Sequence, residues 1–201
     1  MLVSYDKSYK QNGFEAICGI DEAGRGPLAG PVVVAGVIMP LDDDKIIAGV
    51  NDSKKLSEKK REKLFDQIVS TAIAYHVEVV DNVVIDEINI LNATKLAMNN
   101  CIKALNCADV VLIDAVKPSD DKRIVPIIKG DATSYNIAAA SILAKVTRDR
   151  LMLQMDKEYP EYCFAKHKGY GTALHIGLLK QYGPSPIHRK TFIKNFFPSD
   201  E

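Results

Sequence analysis

The run Asp109-Val-Val-Leu-Ile-Asp114 constrains the fold more than any other segment of the chain. Its four consecutive apolar residues show no polar alternation, so a strand built from them needs cover on both faces. That is the pattern of a buried central strand, with helices packed on either side. It also delivers a carboxylate, Asp114, to the rim of the sheet.

The neighbouring segments supply the rest of a sheet. Residues 14–20 read as a short strand ending at Asp21, and residues 31–40 (PVVVAGVIMP) as a second, joined to the first by a Gly-rich turn in hairpin fashion. Residues 41–55 form a polar loop. Ser57 is placed to cap a helix over residues 57–72, where Leu64, Phe65, Ile68 and Val69 make one apolar face. Residues 74–80 alternate as a third strand, and a long helical pattern follows to about Leu105. RIVPIIKG is a fifth strand that Pro126 assigns to an edge, because proline cannot donate to the ladder. Residues 134–159 are the longest helical stretch, opened by small residues that permit close packing on a sheet. From Lys166 onward the pattern is loop, short helix (173–182) and Pro-rich tail. Strands first paired, then alternating with helices, predict an α/β class with a mixed five-stranded sheet and helical flanks.

The length of 201 residues, without repeats or low-complexity linkers, predicts one domain over 1–201 with a small C-terminal helical part from about 166. With 47% hydrophobic residues, a chain of this size builds a core without help from disulfides or metal, which argues against disorder. Twenty-six basic and 26 acidic residues balance to zero. The balance is uneven along the chain, because the segment from Ser141 on carries ten basic and six acidic residues. A basic cluster of Lys54, Lys55, Lys59, Lys60, Arg61 and Lys63 lies within the otherwise acidic remainder. Acids with basic flanks suit a site that holds cations and grips a polyanion. Cys18, Cys101, Cys107 and Cys163 match neither C-x-x-C nor a zinc spacing, and the polar start MLVSYDKSYK is no secretory signal. Reduced, mostly buried thiols in a cytoplasmic protein without a membrane span are the expectation.

Four acids fall at strand ends or helix starts: Asp21, Glu22, Asp114 and Asp131. Each has a plain structural use, as turn residues before Gly24, a strand exit, and a helix N-cap. If their strands are neighbours, however, the carboxylates converge. Clustered like charges need shared protons or bound cations. Oxygen donors without His or Cys partners select Mg²⁺ or Mn²⁺ over zinc. Two such ions roughly 4 Å apart serve phosphodiester hydrolysis. The loop GIDEAGRGP lacks the Lys-Ser/Thr of a P-loop, and two acids within it would repel phosphate, so it is not a nucleotide cradle.

The motifs GIDEAGRGPLAGPVVVAGVI, DSKKL, VLIDAV, GDATSYNIAAASILAKVTRDR, HKGYGT and GPSPIHR occur in an order that resembles bacterial type 2 ribonuclease H, or ribonuclease HII. They span residues 17–189. The resemblance implies a ribonuclease H-like sheet with flanking helices and a C-terminal part that helps clamp a hybrid. It implies that Asp21, Glu22, Asp114 and Asp131 are the catalytic acids, holding two Mg²⁺ or Mn²⁺ ions. The reaction so implied is cleavage of RNA in RNA/DNA hybrids and nicking 5′ of ribonucleotides embedded in duplex DNA, leaving 5′-phosphate and 3′-hydroxyl ends.

The same resemblance makes Gly24, Arg25 and Gly26 the sensor of a ribonucleotide followed by a deoxyribonucleotide. Glycines let backbone groups approach a minor groove in which the 2′-hydroxyl marks RNA. It makes Tyr170 the aromatic that packs on the deoxyribose beyond the junction, and Lys54, Lys55, Lys145, Arg148, His188 and Arg189 phosphate contacts. Ion pairing and solvated surface explain the basic residues equally well. Lys190, Ile193, Phe196 and Phe197 have the spacing of a sliding-clamp box without its initial glutamine, against a plainer reading as tail packing. A monomer suffices for this function. The alternatives are type 3 ribonuclease H, which usually has Gly-Thr-Gly in place of Gly24-Arg25-Gly26, and a non-catalytic hybrid-binding module. Clustered acids speak against the second, since they hinder a mere binder of phosphates.

Overall fold

The computed structural model describes residues 2–114 and 116–197. Five strands, β1 (Ile17–Ala23), β2 (Val32–Ile38), β3 (Ala74–Val80), β4 (Val110–Asp114) and β5 (Ile124–Ile127), form one mixed sheet in the order β3-β2-β1-β4-β5. The first three strands run antiparallel to one another, whereas β1–β4 and β4–β5 are parallel. Hence β1, not the all-apolar β4, is the central strand. β4 is nonetheless flanked on both sides, and β5 with Pro126 lies at an edge, as the sequence predicts.

Alternation along the strands builds two cores. Ile17, Val110 and Leu112 face the layer containing α2 (Glu58–Thr71) and α4 (Tyr135–Glu158). Cys18, Ile20, Val111 and Ile113 face α3 (Asn82–Ala104), which kinks at Asn89, where φ is 64°. The small residues at the start of α4 let it pack directly on β1. Gly19 is the position that makes this possible, because a Cβ there would lie 2.1 Å from the Asn136 carbonyl carbon.

Helix starts follow capping chemistry. Ser57 caps α2, Asp81 caps α3 and Ser134 caps α4, each accepting a bond from a backbone N–H of the first turn. Asp131 is therefore not the N-cap. It lies in the one-turn 3₁₀ segment Gly130–Ala132 just upstream.

The start of the chain also departs from the sequence expectation. The first strand is shifted from residues 14–20 to Ile17–Ala23, so Asp21 and Glu22 lie inside it rather than after it. Asp109 holds the preceding stretch by accepting bonds from the N–H groups of Glu15 and Ala16. The polar N-terminus, read only as the absence of a signal, forms α1 (Leu2–Gln11). Leu2, Tyr5 and Tyr9 pack on the core, and buried Asp6 accepts bonds from the backbone and side-chain nitrogens of Asn136. That carboxylate caps the start of α4 from outside the helix.

The C-terminal part comprises α5 (Phe164–His167), α6 (Ala173–Tyr182) and α7 (Lys190–Ile193). It packs on Ala29 and Met152 through Tyr162 and Phe164. The cysteines are unpaired. Cys18 and Cys101 are buried, but Cys107 is exposed and Cys163 half-buried, so burial holds for two of the four. No helix among the described residues is long and apolar enough to cross a membrane.

Candidate active site

The register of the sheet brings the acids together. Ile20 pairs with Ile113 across β1 and β4, so one further residue along each strand sets Asp21 beside Asp114. Asp21 stands four residues after Ile17 and Asp114 four after Val110, an even separation that sets both on the face that α4 covers. Asp114 then accepts a hydrogen bond of 2.9 Å from the Gly130 N–H, which draws the Gly130–Ala132 turn to the same rim. As a result, carboxylate oxygens of Asp21, Asp114 and Asp131 all lie within 4.8 Å of one another.

Glu22, the next residue of β1, lines the adjoining cleft and stands outside this triad. One oxygen meets the Arg25 guanidinium at 3.3 Å, and the other, Oε2, is buried without a partner. The resulting electrostatics are unfavourable for a bare protein. Burial raises the Asp21 carboxyl well above its ordinary value, and the charges of Glu22, Asp114 and Asp131 add to the effect. Burial likewise raises Glu22 against the opposing pull of Arg25. It raises Asp131 too, with Asp52 and Asp114 contributing in the same direction. Burial works against the Lys54 ammonium, but Asp131, Asp21, Asp52 and Asp114 together leave its pKa raised. Its Nζ lies 3.7 Å from Asp131.

These features fit a hard divalent cation. The donors are all carboxylate oxygens, the arrangement favours protons or cations, and the orphaned Oε2 of Glu22 adds a further oxygen at the edge. Mg²⁺ and Mn²⁺ suit such a set equally.

Asp52 was not singled out from the sequence, although it opens the DSKKL motif. It is buried, accepts from the Lys54 N–H at 2.9 Å, and lines the rim groove with Asp114, Asp131 and Lys54. The Ser141 hydroxyl on α4 accepts from the Ser53 N–H and ties that loop to the helix. An acid beside lysines in a loop carried too little local pattern to stand out.

Next to the acids lies a cleft of about 220 Å³ lined by Asp21, Glu22, Gly24, Arg25, Gly26, Lys54, Lys145 and Tyr170, among others. Gly24 has φ +96°, and a Cβ would meet the Arg148 Nε at 2.1 Å, so no other residue fits. Gly26 is exposed, and a Cβ there would have only the Tyr170 ring edge, at 4.0 Å, nearby. Lys145 reaches the cleft while paired to Asp149 at 2.7 Å. Tyr170 is 42% exposed and its ring lies 5.6 Å from the Arg148 guanidinium carbon.

Residues 18–197 match the family model described as Ribonuclease HII. The chain belongs to the ribonuclease HII family. It is 57% identical over 192 residues to Ribonuclease HII of Caldicellulosiruptor saccharolyticus, covering 94% of this chain and 93% of that one. Among solved structures it resembles ribonuclease H2 of Pyrococcus horikoshii OT3, with a TM-score of 0.71 and 29% identity over 90% of this chain and 97% of that one. It also resembles a chain of the PCNA:RNase HII complex from Archaeoglobus fulgidus (TM-score 0.71, 30% identity, 84% of this chain and 88% of that one). The fold class and the reading as a ribonuclease H enzyme therefore stand, and the non-catalytic alternative falls away.

Three of the basic residues expected on phosphates do not reach the surface of the chain. Arg148 is fully buried and donates to the carbonyls of Pro31, Lys168 and Ala29. Arg189, equally buried, donates to those of Gly30, Arg25 and Gly24. His188 is 1% exposed and bonded to other side chains. The sequence alone does not separate these cases, because a basic residue beside a motif looks alike whether it faces backbone or solvent. Lys54 and Lys55 remain exposed at the cleft and the adjoining groove. In the tail, Ile193 is buried while Phe196 and Phe197 are half-buried, which accords with packing on the chain.

Proposed function

We propose that this chain hydrolyses the RNA strand of RNA/DNA hybrids and nicks duplex DNA on the 5′ side of embedded ribonucleotides, leaving 3′-hydroxyl and 5′-phosphate ends. The observation that carries this reading is the carboxylate triad, of which Asp21 lines the cleft of Gly24, Arg25, Gly26 and Tyr170 while Asp114 and Asp131 line the groove that shares Lys54 with it. A phosphodiester lying over the acids would place its neighbouring sugar in that cleft.

Asp21, Asp114 and Asp131 would hold two Mg²⁺ or Mn²⁺ ions, with Glu22 beside them. When bound, such ions activate the attacking water and stabilise the departing oxygen. Water then adds to phosphorus and gives up a proton to solvent, and the bond to the 3′-oxygen breaks as that oxygen takes a proton from solvent to become the 3′-hydroxyl. The chain's own part is placement. The Gly130 N–H fixes one Asp114 oxygen and the Glu22 N–H fixes one of Asp21, at 2.9 and 2.8 Å, which orients each carboxylate and would leave its other oxygen for a cation. Lys54 balances charge at Asp131 and, with Lys55 and Lys145, offers cationic contacts to the phosphates. The exposed Arg25–Gly26 backbone meets the 2′-hydroxyl, and Tyr170 packs on the following deoxyribose. Its action, on this reading, is that of a monomer on nucleic acid in the cytoplasm, in ribonucleotide or primer removal. The packed Ile193 favours a structural tail over a sliding-clamp box.

Asp114→Asn tests the reading. It removes a charge from the triad and leaves the basic contacts in place. Cleavage of a labelled hybrid should fall by several orders of magnitude while hybrid binding stays measurable. Near-normal turnover would overturn the assignment.

A further inference from the structure

Three histidines that play no part in the chemistry form a buried group under the cleft. His167 stacks on His175 with centroids 4.3 Å apart, and His175 Nε2 lies 3.0 Å from His188 Nε2. Their partners fix every proton. The Tyr170 carbonyl, 2.9 Å from His175 Nδ1, can only accept, so that nitrogen carries hydrogen. In the neutral ring His175 Nε2 is then the acceptor, and His188 Nε2 must donate to it. His188 Nδ1 is left to accept from the Ser185 N–H at 2.9 Å and the Ser185 hydroxyl at 2.7 Å. His167 is set the same way, with Nε2 donating to the Tyr162 carbonyl and Nδ1 accepting from the Gly169 N–H. One unbroken chain of bonds thus runs from Ser185 through His188 and His175 to Tyr170.

The residue after His188 is Arg189, whose guanidinium grips the carbonyls of Gly24 and Arg25 at 2.6 and 3.0 Å. Consecutive residues therefore hold the two walls of the same cleft. Building on the function proposed above, we propose that the Ser185–His188–His175 relay positions Tyr170 against Gly24-Arg25-Gly26 and so sets selectivity for a ribonucleotide–deoxyribonucleotide junction. A neutral histidine is suited to this task, since it donates at one nitrogen and accepts at the other and so passes direction along the chain. An apolar side chain would fill the space but remove one of the three bonds on the Tyr170 backbone, whose carbonyl also accepts from the Thr172 N–H and whose N–H donates to the His167 carbonyl.

The test compares kcat/KM on a duplex with one embedded ribonucleotide to kcat/KM on an all-RNA hybrid. Losing one hydrogen bond in a buried chain corresponds to about a tenfold change. His175→Leu should lower the junction-to-hybrid ratio about tenfold, Tyr170→Ala should lower it at least as far, and the double variant should be no worse than Tyr170→Ala alone. Additive losses would mean that His175 does not act through Tyr170 and would overturn the relay. The pair His175→Asn and His175→Gln separates positioning from mere packing should the leucine variant not fold. Asparagine keeps a donor near Nδ1 and should preserve the ratio, whereas glutamine places its amide near Nε2 and should lose it. Equal ratios for these two would refute the inference. If Tyr170→Ala itself leaves the ratio unchanged, the function assigned to the tyrosine fails first, and the relay with it.

Discussion

Gly19→Ala should damage both stability and catalysis, although it adds a single methyl group far from solvent. An ideal Cβ at Gly19 would stand 2.1 Å from the Asn136 carbonyl carbon, 2.3 Å from the Ile137 nitrogen and 2.5 Å from the Asn136 oxygen. All three atoms are backbone of α4, so no side chain can swing aside. Ordinary contact begins near 3.4 Å, and the strand and helix must separate by more than about 1 Å to reach it. Overpacking of this kind costs about 1–3 kcal/mol, and a rigid neighbour argues for the upper end. At about 2–4 °C per kcal/mol for a chain of this size, the melting temperature falls by roughly 6–12 °C. Catalysis suffers separately, because Asp131 precedes α4 by four residues whereas Asp21 is two residues from Gly19. Misplacing reacting groups by about 1 Å can cost about a hundredfold in rate. Calorimetry and hybrid cleavage at saturating Mn²⁺ read the two effects. Gly177→Ala in α6 is the control, since a Cβ there meets nothing within 4 Å and should stabilise by about 0.5–1 kcal/mol. Wild-type melting and rate for Gly19→Ala would refute the view that close packing of α4 on β1 sets the carboxylate triad.

Burial, with lesser opposition from the Tyr170 carbonyl, lowers the pKa of His175 to about 4, and burial plus the neighbouring His175 lowers that of His188 to about 4, from 6.5. Their unfolded forms take up protons first as pH falls, so stability is whole above pH 6.5 and is lost between there and about pH 4, by several kcal/mol at about 1.4 kcal/mol per pH unit of displacement. Denaturant unfolding from pH 7 to 5 should show a steeper loss for the wild type than for His175→Leu, and parallel profiles would contradict the neutral relay. Arg189→Met leaves three buried carbonyls without their donor and should cost about 2–4 kcal/mol, with no rescue by Arg189→Lys, whose single ammonium cannot span three acceptors. Unchanged melting in Arg189→Met would show that these bonds do not hold the Gly24 loop.

Much of the sheet was legible because its signals are local. The apolar run before Asp114, Pro126 in β5 and Ser57 before α2 each fix an element by a rule that needs no tertiary context. Convergence of the acids was legible only as a condition on strand adjacency, which the β1–β4 register supplies. The helix α1 was missed because its amphipathic residues are few and its key polar group, Asp6, finds its partner 130 residues away at Asn136. The buried roles of Arg148, His188 and Arg189 were illegible for a similar reason. Their partners are backbone carbonyls, which the sequence does not distinguish, brought close by the packing of the C-terminal part on the Gly24–Pro31 loop. Asp52 was obscured by the lysines beside it.

The central claim is that the carboxylate triad and the Gly24-Arg25-Gly26–Tyr170 cleft act as one site. It is tested most directly with an end-labelled DNA duplex containing a single ribonucleotide, incubated with Mg²⁺ or Mn²⁺ and, in parallel, with EDTA. Metal-dependent cutting at the phosphodiester 5′ to that ribonucleotide, yielding a 3′-hydroxyl, is the predicted result. Cleavage confined to long RNA/DNA hybrids would retain the acids and contradict the cleft, and cutting undiminished in EDTA would contradict the acids.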